Sequence, residues 1–122
     1  MGDVSVFIVD DQAPFRDAAR AVIELTDGFV FAGEAITGEE SLVETARLHP
    51  DLVIMDVNLP GIDGIEATRR MTRNGKPAVL LVSTYDEQDY ARLAGECGAL
   101  AYLPKSEFGP DALVEAWAAA RS

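Results

Sequence analysis

The sequence contains little of what several classes of protein require. Cys97 is the only cysteine among 122 residues, which excludes an intrachain disulfide and a cysteine-based zinc site. His49 is the only histidine, and its place near the predicted end of a helix argues against a phosphodonor or a metal ligand. The chain has only 10 basic residues but 21 acidic ones, which gives a formal charge of −11. This balance opposes direct binding of the chain to a nucleic acid.

Long hydrophobic runs are also missing. No apolar run approaches the roughly 20 residues that a membrane helix needs. The start, MGDVSVFIVDD, is too acidic and too short in its apolar part for a secretory signal. Apolar residues still make up 48% of the chain, enough for one sizeable core. We expect residues 1–122 to form one soluble, cytoplasmic domain with no membrane partner.

Short apolar runs alternate with segments of helical periodicity. The strand candidates are VSVFIV, FVFAGEA, DLVIM, PAVLLVS and LAYL. After its first residue, Asp51, DLVIM is a continuous apolar run, as expected for a strand covered on both faces. Five strands alternating with five helices over short connections predict an α/β fold, in which helices cover both faces of a doubly wound parallel sheet.

The helical segments carry their own start and stop signals. The first begins at Pro14 and ends before Asp27-Gly28, and the second opens with the capping-box order Thr37 to Glu40. The others are predicted at about 64–73, at 86–97 and from 110 onward. The residues expected to face the core in the first two helices are Phe15, Ala18, Ala19, Val22, Leu25, Leu42, Thr45 and Ala46.

Polar residues follow the predicted strands at the edge where ligands gather in such sheets. They are Asp10, Asp11, Asp56, Ser83, Thr84 and Lys105. Carboxylates about 4 Å apart repel one another by about 4 kcal/mol per pair at an effective dielectric constant near 20. Such a cluster should recruit a cation, and oxygen ligands without histidine or cysteine favour Mg²⁺. With Lys105, these groups suit phosphoryl transfer to Asp56, with Ser83 donating a hydrogen bond to the phosphoryl group.

The order of these motifs resembles the receiver domain of response regulators in two-component signalling. The motifs are FIVDDQ, DLVIMDVNLPGIDG, LLVSTYDE and CGALAYLPK. The resemblance implies a flavodoxin-like (βα)5 domain with sheet order 2-1-3-4-5 and Asp56 as phosphoacceptor. It further implies that Mg²⁺ is bound by Asp11, Asp56 and the Asn58 carbonyl, with Asp10 acting directly or through water. Lys105 would contact the phosphoryl oxygens, and Ser83, with Thr84 as its neighbour, and Tyr102 would act as the switch.

The resemblance also implies partners. A sensor histidine kinase would donate the phosphoryl group, and a homodimer is left open. The segments DVNLPGIDGIEATRR and YLPKSE are similar to receivers that precede a helix-turn-helix DNA-binding domain. The chain is therefore expected to be the receiver of a transcription regulator or a stand-alone receiver. In either case it is expected to catalyse only its own phosphorylation and dephosphorylation.

Two further readings stay open. An aspartate-nucleophile phosphatase would also use acidic groups, Mg²⁺ and a lysine, but it usually shows Asp-x-Asp after its first strand, whereas Asp10 and Asp11 are adjacent. A pseudo-receiver would bind partners without phosphorylation. The lysine loop departs from the receiver pattern. Many receivers have a proline directly after the lysine, but here Pro104 precedes Lys105 and Ser106 follows it.

Tyr85 lies two residues beyond Ser83, where receivers tune dephosphorylation. We predict that its bulk shields the phosphoryl group from water and lengthens its lifetime. A Tyr85→Ala variant should then lose the phosphoryl group faster, as measured by the decay of the phosphorylated protein. Unchanged decay would refute this role.

Overall fold

The computed structural model describes residues 2–84 and 89–121. Its five strands form one parallel sheet in the order β2-β1-β3-β4-β5, which confirms the predicted fold class and strand order. The strands are β1 (Val4–Val9), β2 (Phe29–Ala35), β3 (Leu52–Asp56), β4 (Ala78–Ser83) and β5 (Ala101–Pro104). Every residue of β3 is buried, and for residues 52–55 the apolar run predicts this.

Five α-helices connect and follow the strands. They are α1 (Ala13–Leu25), α2 (Gly38–Leu48), α3 (Gly64–Met71), α4 (Tyr90–Cys97) and α5 (Pro110–Ala120). α3 ends two residues before its predicted limit, at a C-cap formed by Thr72. The predicted start of the fourth helix at residue 86 lies outside the described residues. None of the described helices is long and apolar enough to cross a membrane.

The helices bury the sheet in two apolar layers. One layer joins α1 and α5 to the sheet through Ala19, Ile23 and Leu113. The other joins α3 and α4 to the opposite face through Ala67, Ala94 and Cys97. Cys97 is therefore a small core residue, as predicted. Covering both faces holds the strands rigidly, so that side chains at the carboxyl edge keep fixed positions.

The inward faces of the first two helices differ from the prediction. Ala18 and Ala46 are exposed, and Leu25 is 83% exposed. Ala19 is fully buried as predicted, and Ile23, which was not predicted to face the core, is fully buried as well. The contact face of α1 is therefore displaced toward Ile23. Several apolar stripes run along this alanine-rich helix, and only packing against the sheet selects one. Leu25 points away from the buried layer, although Ile23 in the same turn is part of it.

The start of α2 follows its sequence signal. Thr37 Oγ1 accepts a hydrogen bond from the Glu40 N–H at 3.0 Å, as a capping box requires. The Glu40 carboxylate accepts one from the Ile36 N–H at 2.8 Å, one residue earlier than in the usual motif. Two backbone donors at the start of the helix are thereby satisfied, which fixes the turn between β2 and α2.

Candidate functional site

Three strand ends bring the predicted acidic residues and the lysine together. β1 and β3 are neighbours in the sheet. The next strand after β1 is added on one side of this pair and the next strand after β3 on the other, so the strand order switches between them. One side-chain oxygen from each of Asp10, Asp11 and Asp56 lies within 4.8 Å of the other two. Lys105 Nζ lies 2.6 Å from Asp10 Oδ2 and 3.7 Å from Asp56 Oδ2. The structure thus forms a compact acidic pocket with one cation at its wall.

The three carboxylates differ in burial. Asp10 is fully buried and Asp56 is 3% exposed, whereas Asp11 is exposed. Burial raises the pKa of Asp56 to about 6, and the charge of Asp10 adds to this effect. Lys105 and the Asn58 N–H act in the opposite direction without cancelling it. The protein therefore holds Asp56 in an environment that disfavours its charged form when no further cation is present.

The pocket fits a hard divalent cation. Asp10 Oδ2 is buried and accepts no hydrogen bond from the described part of the chain. Its contact with Lys105 at 2.6 Å offsets its charge but lacks hydrogen-bond directionality. A buried carboxylate oxygen beside two further carboxylates is the donor set that Mg²⁺ takes in proteins. The Asn58 N–H lies 3.3 Å from Asp56 Oδ1, so its backbone borders the pocket.

The predicted switch residues lie at different depths. Ser83 is fully buried, and its hydroxyl accepts a hydrogen bond from the Asn58 amide at 3.1 Å. Thr84 is exposed. Tyr102 is half-buried, and its ring packs against Tyr90 with a centroid separation of 5.0 Å. Of the two hydroxyl residues, Ser83 is the one linked to the pocket, and Tyr85 lies outside the described residues.

A short turn holds the lysine that follows β5. Lys105 begins a 3-10 helix (Lys105–Glu107), and its carbonyl accepts a hydrogen bond from the Phe108 N–H at 3.1 Å. Its Nζ donates to Gln12 Oε1 at 3.4 Å and lies 4.7 Å from the Phe15 ring centroid. The 3-10 turn and the contacts of the lysine side chain therefore hold the loop in place, with Ser106 after the lysine.

Sequence reasoning missed three residues around the pocket, namely Gln12, Phe15 and Arg16. The Gln12 N–H donates to Asp10 Oδ1 at 2.8 Å, and Arg16 Nη1 donates to the Asp10 carbonyl at 2.8 Å. Phe15 packs against the core as predicted, but the sequence gives no signal for its contact with Lys105. A polar residue one turn into the helix that follows an acidic pair is the signal that could have pointed to Arg16.

Fold and pocket together define a doubly wound α/β domain with a carboxylate cluster and a lysine at the switch in strand order. The family model for the response regulator receiver domain matches residues 6–118. The chain belongs to this family, the receiver domains of response regulators in two-component systems. The resemblance inferred from the sequence motifs is thereby confirmed.

Individual relatives agree with this assignment. The chain is 37% identical over 103 residues to response regulator GacA of Pseudomonas syringae pv. syringae (strain B728a). The match covers 84% of this chain and 48% of GacA. It is 32% identical over 114 residues to transcriptional regulatory protein DegU of Brevibacillus brevis, covering 93% of this chain and 48% of DegU. The chain thus spans about half the length of these relatives.

A solved structure supports the same conclusion. The two-component response regulator of the LuxR family from Aurantimonas sp. SI85-9A1 superposes with a TM-score of 0.86 at 33% identity. The match covers 97% of this chain and 84% of that one. Response regulators, some of them transcription regulators, are therefore among the relatives of this domain.

Proposed function

We propose that this receiver is a phosphorylation-dependent switch in which Asp56 accepts a phosphoryl group from the phosphohistidine of a sensor histidine kinase. The observation that carries the proposal is the convergence of Asp10, Asp11 and Asp56 with Lys105 at one edge of the sheet. Asp56 ends the central strand β3, where its position is fixed by pairing with β4. A nucleophile held this way can be presented in line to a phosphorus atom.

In the transfer step, an Asp56 carboxylate oxygen forms a bond to phosphorus while the bond from phosphorus to the kinase imidazole nitrogen breaks. Asp10, Asp11 and Asp56, with the Asn58 carbonyl, would hold Mg²⁺. The bound ion would neutralise charge on the phosphoryl oxygens. Lys105, now 3.7 Å from Asp56 Oδ2, is close enough to move onto a phosphoryl oxygen. The product is an aspartyl phosphate.

The signal would leave the pocket through β4 and β5. Ser83, buried at the end of β4, would donate to a phosphoryl oxygen and move the segment that follows it toward Asp56. Tyr102, on the neighbouring strand β5, would turn inward into the space this movement opens. A local change of charge would thereby alter the surface around the fourth and fifth strands and their helices, where partners or a second copy of the chain could read it.

The relatives support a role in transcription. DegU is named a transcriptional regulatory protein, and the chain covers about half of its length. We infer that the cytoplasmic regulator containing this receiver contacts DNA through a separate domain. The formal charge of −11 opposes DNA binding by the receiver itself.

The proposal is tested by intact-protein mass after incubation with acetyl phosphate and Mg²⁺. We expect one added phosphoryl group in the wild type, none in Asp56→Asn, and none with EDTA in place of Mg²⁺. Asp17→Asn, which changes an exposed aspartate on α1, is the matched control and should react like the wild type.

An adduct that persists in Asp56→Asn would contradict the assignment of the phosphoacceptor. No adduct in the wild type under any condition would favour a pseudo-receiver. Steady turnover of p-nitrophenyl phosphate would instead favour the phosphatase. The adjacent placement of Asp10 and Asp11 speaks against that enzyme class, because its usual acidic pair is separated by one residue.

A further inference from the structure

Arg16 joins the acidic pocket to the edge strand β2, which lies beside β1. Its side chain is 15% exposed, although it carries a full charge. Nη1 donates to the Asp10 carbonyl at 2.8 Å, and Nε donates to Glu34 Oε2 at 3.1 Å. Arg16 lies on α1 and Glu34 on the edge strand β2. One guanidinium therefore ties together the loop after β1, the following helix and the neighbouring strand.

These contacts enclose the backbone of Asp10. The Asp10 N–H donates to the Ala35 carbonyl at 3.1 Å, one residue beyond Glu34. The Asp10 carbonyl accepts from Arg16. The Asp10 N–H is therefore bound to β2 directly, and the Asp10 carbonyl is bound to β2 through Arg16 and Glu34. The side chain of Asp10 is oriented separately by the Gln12 N–H at 2.8 Å.

The carbonyl that Arg16 binds belongs to the peptide unit between Asp10 and Asp11. This unit is planar, so its orientation sets the directions in which the two carboxylates leave the backbone. Adjacent side chains in a strand point to opposite faces. Asp10 and Asp11 can contribute to one cluster only because the chain has left β1 at Val9 and turned. The orientation of one peptide plane therefore determines whether the pair converges.

The charge of Arg16 cannot explain its place beside a cation site. A positive charge near the three carboxylates would weaken the binding of a divalent cation by repulsion. Glu34 at 3.1 Å pairs with that charge and leaves the two side chains neutral together. What remains is the rigid, forked geometry of the guanidinium, which can bind two acceptors at once.

We propose that Arg16 and Glu34 form a positioning pair that orients the Asp10–Asp11 peptide and so sets the affinity of the pocket for a divalent cation. This inference rests on the proposed function, because it assumes that Asp10, Asp11 and Asp56 bind Mg²⁺. Groups that orient metal ligands typically change metal affinity by about 10- to 100-fold when they are removed. Since Arg16 acts through a backbone carbonyl, we expect the lower end of that range.

The test is the Kd for Mn²⁺, a hard cation suited to carboxylates, measured on the unphosphorylated protein by electron paramagnetic resonance of the free ion. Arg16→Met should raise this Kd by about tenfold. The loss of a positive charge alone would lower it, so the sign separates positioning from electrostatics. The double variant Arg16→Met with Glu34→Gln removes both charges and should keep the raised Kd.

Two further variants complete the design. Arg16→Lys keeps the charge but has a single head group that cannot reach both acceptors, so its Kd should stay above that of the wild type. Arg20→Met is the matched control, because Arg20 also lies on α1 and stacks on Phe31 of β2 at 4.3 Å from the ring centroid. Its Mn²⁺ affinity should equal that of the wild type. Urea unfolding in EDTA establishes that each variant is folded at the temperature of the titration.

The possible results distinguish a failure of the positioning role from a failure of the proposed function. A wild type that binds Mn²⁺ together with an Arg16→Met variant that binds it as tightly or more tightly would overturn the positioning role and leave the proposed function standing. Equal weakening in Arg16→Met and Arg20→Met would also overturn it, since any contact between α1 and β2 would then suffice. A wild type that binds no Mn²⁺ would overturn both.

Discussion

Replacing Gly64 by alanine should lower the free energy of unfolding by about 3 kcal/mol or more. Gly64 is the first residue of α3, and its N–H donates to the Val57 carbonyl at 2.9 Å. A Cβ at this position would overlap the carbonyl oxygen of Asp56, which is backbone and cannot rotate away. Either α3 or the end of β3 must shift, and both are packed. Urea denaturation monitored by circular dichroism measures the loss.

Gly95→Ala is the matched control for this substitution. Gly95 lies within α4, and beyond the adjacent helix backbone a Cβ there would meet no atom of the described residues within 4 Å. Alanine in a helix interior is favoured over glycine by roughly 0.5–1 kcal/mol, so this variant should be more stable than the wild type. If both variants were equally stable, the close approach of α3 to Asp56 would not constrain the site. A destabilised Gly64→Ala variant should also bind Mn²⁺ more weakly, because the overlap is with the backbone of Asp56 itself.

The sheet and the strand-end residues could be predicted because each depends on a local signal. A short apolar run such as LVIM at 52–55 indicates a strand that is covered on both faces. Helices joined to such strands by short connections then favour parallel neighbours. Asp56 and Lys105 follow directly from the positions where such strands end. The same reasoning gave the capping of α2, since Thr37 and Glu40 interact within one turn of helix.

Features that depend on packing between distant segments could not be predicted. Periodicity placed Ala18 and Leu25 toward the core, but the sheet selects the neighbouring stripe that contains Ile23. The contact from Arg16 to Glu34 spans 18 residues of sequence and exists only because β2 pairs beside β1. The unequal burial of Asp10 and Asp11 likewise follows from the turn of the backbone after Val9.

The site should also be unstable when it is empty, and Asp56→Asn should reveal this as a pH-dependent gain in stability. The pKa of Asp56 is raised to about 6 in the folded protein from its usual 3.8. A carboxyl whose pKa is higher in the folded state stabilises the fold when protonated. That contribution is complete below about pH 4 and is lost as the pH rises through about 6.

Asparagine does not ionise, so Asp56→Asn should exceed the wild type in free energy of unfolding by up to about 3 kcal/mol at pH 8 in EDTA. The gain should shrink as the pH falls from about 7 to about 4, as measured by urea denaturation across this range. Asp17→Asn should show no comparable gain, because Asp17 is exposed. Mg²⁺ should reverse the order of stability by binding the wild type more tightly. If Asp56→Asn gave no gain at pH 8, Lys105 would already compensate the charge of Asp56, and the pocket would have less need of a metal ion.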